Sequence, residues 1–255
     1  MGKAEAYDRH TGRYAAELAG AFARFAGVVP GMRVLDVGCG PGGLATELAR
    51  ITGPGQVAGM DPSEDLVDAC RARVPGADVR LGSAEEIPFT DESFDAVLAQ
   101  LVVQVLDDAP RAVAEMRRVA RPDGTVATCV WDFRDGMPLL MAFWGAAEAV
   151  DPVGAGEARG DDSDPWCTAP GLRELWEGAG LSDVELATLT AAAEYADLDD
   201  AWWSFEAGIS PSGRYCLSLD EERRQAVRAE FGRRLGAPDG RFTLTGRAHA
   251  VRGRR

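Results

Sequence analysis

The sequence is organised around the stretch Val34-Leu35-Asp36-Val37-Gly38-Cys39-Gly40-Pro41-Gly42-Gly43. Its apolar start suits a central strand of a parallel sheet, because both faces of such a strand are covered. The glycines that follow lack the Cβ atoms that would keep a ligand away from the backbone. A helix is predicted from about Leu44 to Ile51, and its first N–H groups have no partner within the helix. We therefore expect a strand, a glycine turn and a helix that bind a ligand together.

Strands and helices alternate on both sides of this stretch. Further strands are predicted at residues 56–60, 77–81, 94–100, 125–131, 184–189 and 241–251, and helices at 3–27, 63–74, 109–120, 139–150 and 170–179. A turn is predicted at Pro122-Asp123-Gly124, a loop over residues 151–164 and a mostly helical insertion over residues 197–236. The alternation indicates an α/β fold with a doubly wound parallel sheet.

Two classes of ligand use a glycine turn of this kind. Gly38, Gly40 and Gly43 fit the G-x-G-x-x-G spacing of dinucleotide sites, and Asp61 follows at about the expected distance. Asp36 favours a different ligand, because a carboxylate at the end of the strand repels a pyrophosphate and attracts an ammonium or a sulfonium. S-adenosylmethionine carries both cations. The alternative is that Asp36 is a loop acid that accepts hydrogen bonds from nearby backbone amides.

Five segments in the same order resemble the motifs of class I S-adenosylmethionine-dependent methyltransferases. They are residues 34–42, 59–63, 82–89, 93–97 and 115–124. The resemblance covers about residues 30 to 132, and beyond Arg134 it extends only to the small-molecule branch of the family in general. It implies a Rossmann-like, seven-stranded, mostly parallel sheet with a helical cap that is built from insertions.

The resemblance also assigns the residues that contact the methionine part and the ribose of the cofactor. Gly38 and Gly40 would lie against the methionine part and the ribose, and Asp36 would lie near the ammonium. Asp61 would accept hydrogen bonds from both ribose hydroxyls. Gln100 would face the methionine end, although a polar residue at a solvent-facing strand end is an equally good interpretation.

The adenine and the cofactor carboxylate have their own candidates. Pro62 would pack on the adenine, and Ala84 would offer its backbone N–H to the ring. Ser83 stands where relatives have Asp, and Ser accepts a hydrogen bond less strongly than a carboxylate, so Glu85 is expected to share its role. Arg13 or Tyr14 would reach the cofactor carboxylate. The alternative for Tyr14 is a place on the apolar face of the first helix.

The substrate side of the site is less well defined. Gln104, His249 and Trp131 are the candidate catalytic residues, and no catalytic base is assigned. Gln104 stands just past the fourth strand, where many relatives carry His, and His249 is alone on the last predicted strand. Aromatic residues could line a substrate pocket or form a core: they are Trp131, Trp144, Trp166, Trp202, Trp203 and Phe205. No metal site is expected, because the acids do not show the spacing of a magnesium site.

Composition sets broader limits. The chain of 255 residues has 27 basic and 41 acidic side chains and a net charge of −14, which argues against a nucleic-acid partner. The five cysteines show no paired or zinc spacing, so a cytoplasmic location is expected. No segment is long and apolar enough for a membrane span. A homodimer is compatible with the sequence, and the basic segment of residues 252–255 is expected to fray.

The domain prediction divides the chain into three parts. Residues 1–29 form an N-terminal cap helix. Residues 30–133, 169–196 and 239–255 form the cofactor-binding core, and residues 134–168 and 197–238 form insertions that cap the substrate.

Three functions are compatible with these residues. The leading hypothesis is in-line methyl transfer from S-adenosylmethionine to an oxygen, nitrogen or carbon atom of a small molecule, with S-adenosylhomocysteine as the product. The second is a nicotinamide-dependent (NAD-type) oxidoreductase, which Asp36 and the missing Tyr-x-x-x-Lys pattern disfavour. The third is a non-transferring protein on the same fold, such as a cyclase or a binding protein that keeps the cofactor.

Overall fold

The computed structural model describes residues 12–159, 165–208 and 210–255. The predicted residues 3–11 of the first helix and 160–164 of the loop lie outside this range. In chain order the elements are α1 (Gly12–Phe25), β1 (Val34–Val37), α2 (Gly43–Thr52), β2 (Val57–Asp61), α3 (Glu64–Arg73), β3 (Asp78–Leu81), β4 (Phe94–Gln100), α4 (Ala109–Val119), β5 (Ala120–Trp131), α5 (Pro138–Val150), α6 (Pro152–Arg159), α7 (Ala169–Gly178), β6 (Ser182–Tyr195), α8 (Leu198–Glu206), α9 (Pro211–Ser218), α10 (Glu221–Arg234) and β7 (Phe242–Arg254).

The strands form one 7-stranded sheet in the order β3-β2-β1-β4-β5-β7-β6. The strands β1 to β5 pair in parallel, and β7 runs antiparallel to β5. Every residue of β1 and β2 is buried, because helices cover both faces of the central strands. The predicted doubly wound fold is confirmed. The strand order reverses between β1 and β4, and open α/β sheets bind their ligands at the carboxyl ends of the strands at such a point.

The turn predicted at residues 122–124 is wrong. Strand β5 begins at Ala120 and passes through this segment, because its pairing with β4 continues on both sides of a bulge. The register shifts between the pairs Phe94–Ala120 and Ala96–Thr125. Asp123 takes up the extra chain with a φ of +62°. Pro and Gly are tolerated at such a bulge, so these residues do not end the strand.

The loop predicted over residues 151–164 is also partly wrong, because residues Pro152–Arg159 form helix α6. Pro152 occupies the start of the helix, where its missing N–H costs nothing. The Asp151 carboxylate accepts a hydrogen bond of 3.1 Å from the backbone N–H of Gly154 and so caps the first turn. Ala155 is fully buried. Capping and burial therefore outweigh the low helix propensity of the two glycines.

The described residues divide into two compact units. The first unit holds the chain up to Trp131, the segment that ends at Ala191 and the segment from Arg247 onward. The second unit begins at Asp132 and resumes from Ala192 to Gly246. The predicted division into a cap helix, a cofactor-binding core and two substrate-capping insertions stays a prediction.

Aromatic side chains form the core of the second unit. Phe143 stacks on Phe205 with ring centroids 4.0 Å apart. Their neighbours Trp144, Trp202 and Phe231 complete the cluster. Trp144, Trp202 and Phe205 are 5%, 2% and 2% exposed, so these three belong to a core and do not line an open pocket.

The basic segment at residues 252–255 does not fray. Its first three residues belong to β7, and the last one, Arg255, is hydrogen-bonded beside that strand. One Nη of Arg252 donates to the carbonyl oxygen of Phe25 at 2.8 Å, and the other donates to both carboxylate oxygens of Glu185 at 2.8 Å. The guanidinium also lies 5.4 Å from the centre of the Phe25 ring. Arg252 therefore joins the last strand to the end of α1.

We expect Arg252→Ala to lower the free energy of unfolding by about 1–3 kcal/mol, because hydrogen bonds to charged groups are lost together with a cation–π contact. Arg241→Ala is the matched control. Arg241 also pairs with a glutamate, Glu194, but their side chains are 73% and 67% exposed, so a loss below about 1 kcal/mol is expected. Urea denaturation measures both values. Equal losses in the two variants would contradict the role given to Arg252.

Candidate active site

The glycine turn at the end of β1 has the geometry that its sequence predicted. Gly38, Gly40 and Gly42 have φ angles of +69°, +52° and +94°, which favour glycine. The backbone N–H of Cys39 donates to the carbonyl of Met60 in β2 at 2.9 Å, and the N–H of Gly42 donates to the carbonyl of Cys39 at 2.9 Å. The turn is therefore fixed between β1 and β2 and leads directly into α2.

Two of these glycines have different surroundings. A Cβ atom on Gly38 would lie 2.5 Å from Cγ2 of Val102, which follows β4, so this position has no room for a side chain. A Cβ atom on Gly40 would have no neighbour within 4 Å in the part of the chain that the structure describes. Gly40 therefore borders open space, whereas Gly38 is closed by packing.

A cavity of about 110 Å³ lies beside this turn. Three of the predicted cofactor residues, Asp36, Gly38 and Gln100, meet in its wall. The remaining residues of the wall come from the turn and from three helices: Gly12, Ala15, Ala16, Cys39, Pro41, Gly43, Leu44 and Arg73. The wall thus combines small residues, one acid, one base and one amide.

Asp36 is the most unusual residue of the cavity. Its side chain is 1% exposed, and its Oδ2 atom has no hydrogen-bond partner in the part of the chain that the structure describes. Burial raises the pKa of this carboxyl well above its ordinary value, and the nearby Cys70 and Asp61 raise it further, against a hydrogen bond from the backbone N–H of Ala45. A buried carboxylate of this kind is destabilising unless a cation pairs with it. The ammonium of an α-amino acid meets this need.

Arg73, in the last turn of α3, places a positive charge in the same wall. The sequence prediction did not include Arg73, because it gave the contact with the cofactor carboxylate to residues of α1. No local signal marks Arg73, since basic residues are common in the last turn of a helix. Together with Asp36 it gives the cavity one charge of each sign, the pattern that an amino-acid zwitterion requires.

Asp61 holds the glycine turn from the end of β2. One carboxylate oxygen accepts from the backbone N–H of Gly40 at 3.0 Å, and the other accepts from the N–H of Ser63 at 2.9 Å. The residue is 6% exposed. A carboxylate has about four acceptor sites, so each oxygen keeps capacity for one more donor. This geometry leaves room for the two ribose hydroxyls that the resemblance implies.

Ser83 and Glu85 form a pair on the loop that follows β3. The Ser83 hydroxyl donates to the Glu85 carboxylate, and the backbone N–H of Glu85 lies 3.3 Å from the Ser83 oxygen. Arg111 donates to the Glu85 carbonyl at 2.8 Å and so holds the loop to α4. Of the neighbouring candidates, Ala84 is buried and Pro62 is exposed. The Glu85 carboxylate thus lies beside Ser83, and the role that the two residues are expected to share stays a prediction.

Two glutamine side chains lie around the end of β4. The Oε1 atoms of Gln100 and Gln104 are both buried and without a hydrogen-bond partner among the described residues. Between them Leu101 has a φ of +62°, a strained conformation for a leucine. Backbone strain of this kind is concentrated at functional sites. The Gln100 amide, which lies in the cavity wall, could therefore accept a hydrogen bond from a ligand, whereas Gln104 is not part of that wall.

The other candidates lie elsewhere. Tyr14 is 3% exposed and meets Trp131 edge to face at a centroid distance of 5.5 Å, so both residues pack in the interior. His249 lies opposite Val130 in the β5–β7 pairing. The wall that α1 provides consists of Gly12, Ala15 and Ala16, and it includes neither Arg13 nor Tyr14. In the described ranges, no group of three His, Cys, Asp or Glu residues could hold a metal ion.

Residues 35–128 match a family model described as a methyltransferase domain. The ubiquinone/menaquinone biosynthesis C-methyltransferase of Ralstonia pickettii is 34% identical over 184 residues, which are 65% of this chain and 74% of that protein. The chain belongs to the class I S-adenosylmethionine-dependent methyltransferases. The predictions of the family and of its cofactor, S-adenosylmethionine, are thereby confirmed.

Other curated relatives of this methyltransferase match only in part. Six of them are 34% to 45% identical over 99 to 123 residues, and the chain spans 29% to 46% of their length. These matches lie in proteins whose remaining length the chain does not cover.

Solved structures share the fold of the methyltransferase over nearly its whole length. A proposed methyltransferase of Bacillus halodurans C-125 has a TM-score of 0.56 at 19% identity, covering 94% of this chain and 97% of that one. The [4+2]-cyclase SpnF has a TM-score of 0.55 at 20% identity, covering 93% and 80%. No described helix has the length and apolar character of a membrane span.

Proposed function

We propose that the chain transfers a methyl group from S-adenosylmethionine to an oxygen, nitrogen or carbon atom of a small molecule. The observation that carries the proposal is the buried carboxylate of Asp36 beside the glycine turn, whose Oδ2 has no hydrogen-bond partner among the described residues. When bound, the cofactor supplies a methyl group that is already activated by its sulfonium. The chain therefore needs to position the reactants and to exclude water.

The residues of the cavity fit the methionine part of this cofactor. Asp36 would accept from the ammonium, and Arg73 would donate to the carboxylate. Gly40 would allow close approach to the backbone, Gly38 would line the cavity beside it, and Gln100 would accept from the same ammonium or from water. Such charge-assisted contacts are the stronger kind of hydrogen bond and fix the orientation of the bound group.

The adenosine part would lie along the ends of β2 and β3. Asp61 would accept from the ribose hydroxyls while it holds Gly40 in place. Pro62 would pack on the adenine, and Ala84 would donate its backbone N–H. Ser83 and Glu85 would share the adenine amino group, because their hydrogen bond keeps the carboxylate beside the loop.

On the substrate side we propose Gln104 as a positioning residue. Its buried Oε1 would accept a hydrogen bond from a hydroxyl or amino group of the acceptor molecule. The second unit of the chain, built from the two insertions, is proposed to select this molecule. The catalytic roles of Trp131 and His249 and the contact of Arg13 with the cofactor carboxylate stay predictions. A homodimer, a cytoplasmic location and the absence of a nucleic-acid partner also stay predictions.

Isothermal titration calorimetry with S-adenosylhomocysteine and NADH tests the proposal first. We expect S-adenosylhomocysteine to bind and NADH not to bind, because Asp36 attracts an ammonium and repels a pyrophosphate. Absence of S-adenosylhomocysteine binding at millimolar concentration would exclude the proposed function. The protein is then incubated with cofactor that carries a labelled methyl group and with a set of small molecules that offer a hydroxyl, an amino group or an acidic C–H. The appearance of labelled product reports transfer of the methyl group.

A non-transferring role is the second candidate. An amide such as that of Gln104 cannot take up a proton, and a fold neighbour is a cyclase. A protein that binds the cofactor and yields no labelled product with any acceptor would favour this function. The oxidoreductase alternative requires NADH binding in the same calorimetric experiment.

The role of Arg73 can be tested separately. We expect Arg73→Gln to weaken the binding of S-adenosylhomocysteine about 10-fold or more, the effect of losing a hydrogen bond to a charged group. Arg50→Gln removes the same charge from the last turn of α2, where Arg50 pairs with Glu47 at the surface, and serves as control. Calorimetry of both variants is the measurement. If they bind alike, Arg73 does not contact the cofactor.

A further inference from the structure

A second cavity lies at the edge of the sheet that is opposite to the glycine turn. It has a volume of about 380 Å³ and is formed where β4 and β5 begin, where β7 ends and just before β1. We call it the amino-edge cavity. Pro30, Met32 and Pro122 give it an apolar surface, and charged residues complete its wall. Because the cofactor binds at the carboxyl ends of the parallel strands, the proposed function gives this cavity no role.

The bulge in β5 shapes the amino-edge cavity. Asp123 stands in its wall with a φ of +62°, which is uncommon for a residue other than glycine. A Cβ atom on Gly124 would lie 2.8 Å from the carbonyl oxygen of Arg121 and 3.3 Å from that of Asp95, so a larger residue does not fit there. Bulges re-aim side chains, and strained backbone is concentrated at functional sites. The bulge thus places Arg121 and Asp123 in the wall.

One arginine of the wall is already neutralised. A terminal nitrogen of Arg121 donates to Oδ1 of Asp95 at 2.5 Å, and Oδ2 of Asp95 accepts from the backbone N–H of Arg33 at 2.7 Å. Burial acts to raise the pKa of Asp95, but these two hydrogen bonds outweigh it and hold the pKa below its ordinary value. Arg121 and Asp95 therefore form a closed ion pair that leaves little charge for a ligand.

Arg254 keeps an open charge. Its Nη1 atom donates to the backbone carbonyl of Asp123 at 3.1 Å and to the hydroxyl of Thr125 at 2.9 Å. Both acceptors are neutral, and within the described ranges no carboxylate pairs with this guanidinium. A guanidinium has five N–H donors, so Nε and Nη2 keep three of them in the fork that suits a carboxylate. The two contacts hold this fork in place before any ligand binds.

Asp123 supplies the opposite charge. Its carbonyl anchors Arg254, but its carboxylate has no hydrogen-bond or ion-pair partner in the part of the chain that the structure describes. The wall therefore offers one guanidinium and one carboxylate beside an apolar surface. A carboxylate in the wall repels a dianion such as phosphate and attracts an ammonium. A ligand with both charges and an apolar body matches all three features.

We propose that the amino-edge cavity binds an α-amino acid with an apolar side chain. The carboxylate of the ligand accepts from Nε and Nη2 of Arg254, and its ammonium donates to the carboxylate of Asp123. The apolar side chain packs on Pro30, Met32 and Pro122. The volume of about 380 Å³ lies within the range of small-molecule pockets. This site is separate from the cofactor cavity, and the proposal does not rest on the proposed function.

Methyl NMR measures this binding at one residue of the wall. The full-length chain is labelled with carbon-13 in its methionine methyl groups, and Met32→Leu assigns the Met32 signal. Saturating S-adenosylhomocysteine is added so that the amino acid does not enter the cofactor cavity. We expect L-phenylalanine to shift the Met32 signal with a Kd of about 1 mM or below. Phenylpropanoate lacks the ammonium and phenethylamine lacks the carboxylate, so each should bind at least about 10-fold more weakly.

Asp123→Asn and Arg254→Lys test the two charged groups. Asparagine tolerates a positive φ, so the bulge keeps its shape, and lysine keeps the charge of Arg254 but loses the fork. Each variant should weaken the binding of phenylalanine at least about 10-fold. Asp68→Asn and Arg241→Lys make the same changes in exposed ion pairs outside this wall and should bind like the original chain. In Asp123→Asn, phenylpropanoate should bind as tightly as phenylalanine.

Three results would overturn the proposal. The first is a Met32 signal that phenylalanine at about 10 mM leaves unchanged. The second is that phenylpropanoate, phenethylamine or inorganic phosphate binds to the original chain as tightly as phenylalanine. The third is normal affinity in both Asp123→Asn and Arg254→Lys. The Met32 signal reports on the amino-edge cavity whether or not S-adenosylhomocysteine binds, so failure of the proposed function is seen separately.

Discussion

Asp36→Asn is expected to weaken the binding of S-adenosylhomocysteine at least about 30-fold, because truncating one partner of a buried charge pair costs 2 kcal/mol or more. The same variant should melt at a higher temperature than the original chain when no ligand is present. Asparagine keeps the shape of the side chain and removes a buried charge whose Oδ2 has no hydrogen-bond partner in the described ranges. Calorimetry measures the affinity, and thermal unfolding measures the stability.

The pH dependence follows from the raised pKa of Asp36. A carboxyl with a raised folded-state pKa contributes its full stability below the ordinary value of 3.8, and this contribution is lost as the pH rises towards the folded-state value. Binding of an ammonium favours the carboxylate and releases a proton, so ligand affinity rises with pH over the same window. Both dependences should be absent in Asp36→Asn.

Asp68→Asn is the matched control for this variant, since Asp68 is an exposed acid that pairs with Arg71 on the surface of α3. It removes the same charge and should change neither affinity nor its pH dependence measurably. An Asp36→Asn protein that binds S-adenosylhomocysteine as tightly as the original chain would show that the cation-binding role is wrong. An unchanged melting temperature of that variant would show that the buried carboxylate does not destabilise the fold.

Gly40→Ala should weaken ligand binding about 10-fold to 100-fold while the protein stays folded. The added Cβ meets no protein atom within 4 Å, so it projects into the open side of the turn, where overpacking against a ligand costs about 1–3 kcal/mol. The φ of +52° adds a destabilisation of about 1 kcal/mol to the fold. Affinity and unfolding are measured by calorimetry and thermal denaturation.

Gly31→Ala separates the backbone effect from the ligand effect. Among the described residues Gly31 also has a positive φ, +83°, and no neighbour within 4 Å of a Cβ, but it precedes β1, whereas Gly40 follows that strand. We expect this variant to lose a similar amount of stability and no affinity. A Gly40→Ala protein with normal affinity would place the ligand somewhere other than over the turn.

The central fold and the place of Asp36 in the cavity wall were predictable, because both are local in sequence. A buried apolar run, three glycines and a helix start determine the turn without help from distant residues. Asp36 lies inside this stretch, so its surroundings follow from the strand itself. The predicted strand 94–100 matches β4 for the same reason, since most of its residues are apolar and turns bound it.

The cationic end of the site and parts of the second unit were not predictable. Arg73 enters the wall of the cavity only through the packing of α3, which its spacing along the chain does not show. Helix α6 contains two glycines and depends on a cap from Asp151 and on the burial of Ala155. The strand predicted at 184–189 extends to Ser182–Tyr195, because pairing within the sheet prolongs it beyond its apolar centre.

The contact between Gly38 and Val102 has a consequence for how this motif can vary. Gly38 has no side chain partly because Val102, two residues past the end of β4, already occupies that volume. The missing side chain at Gly38 and the branched side chain of Val102, which lies outside the five motifs, therefore depend on each other, although the two residues are far apart in the chain. Substitutions at the two positions should be compensatory, and the glycine at 38 reports on its neighbour as much as on any ligand.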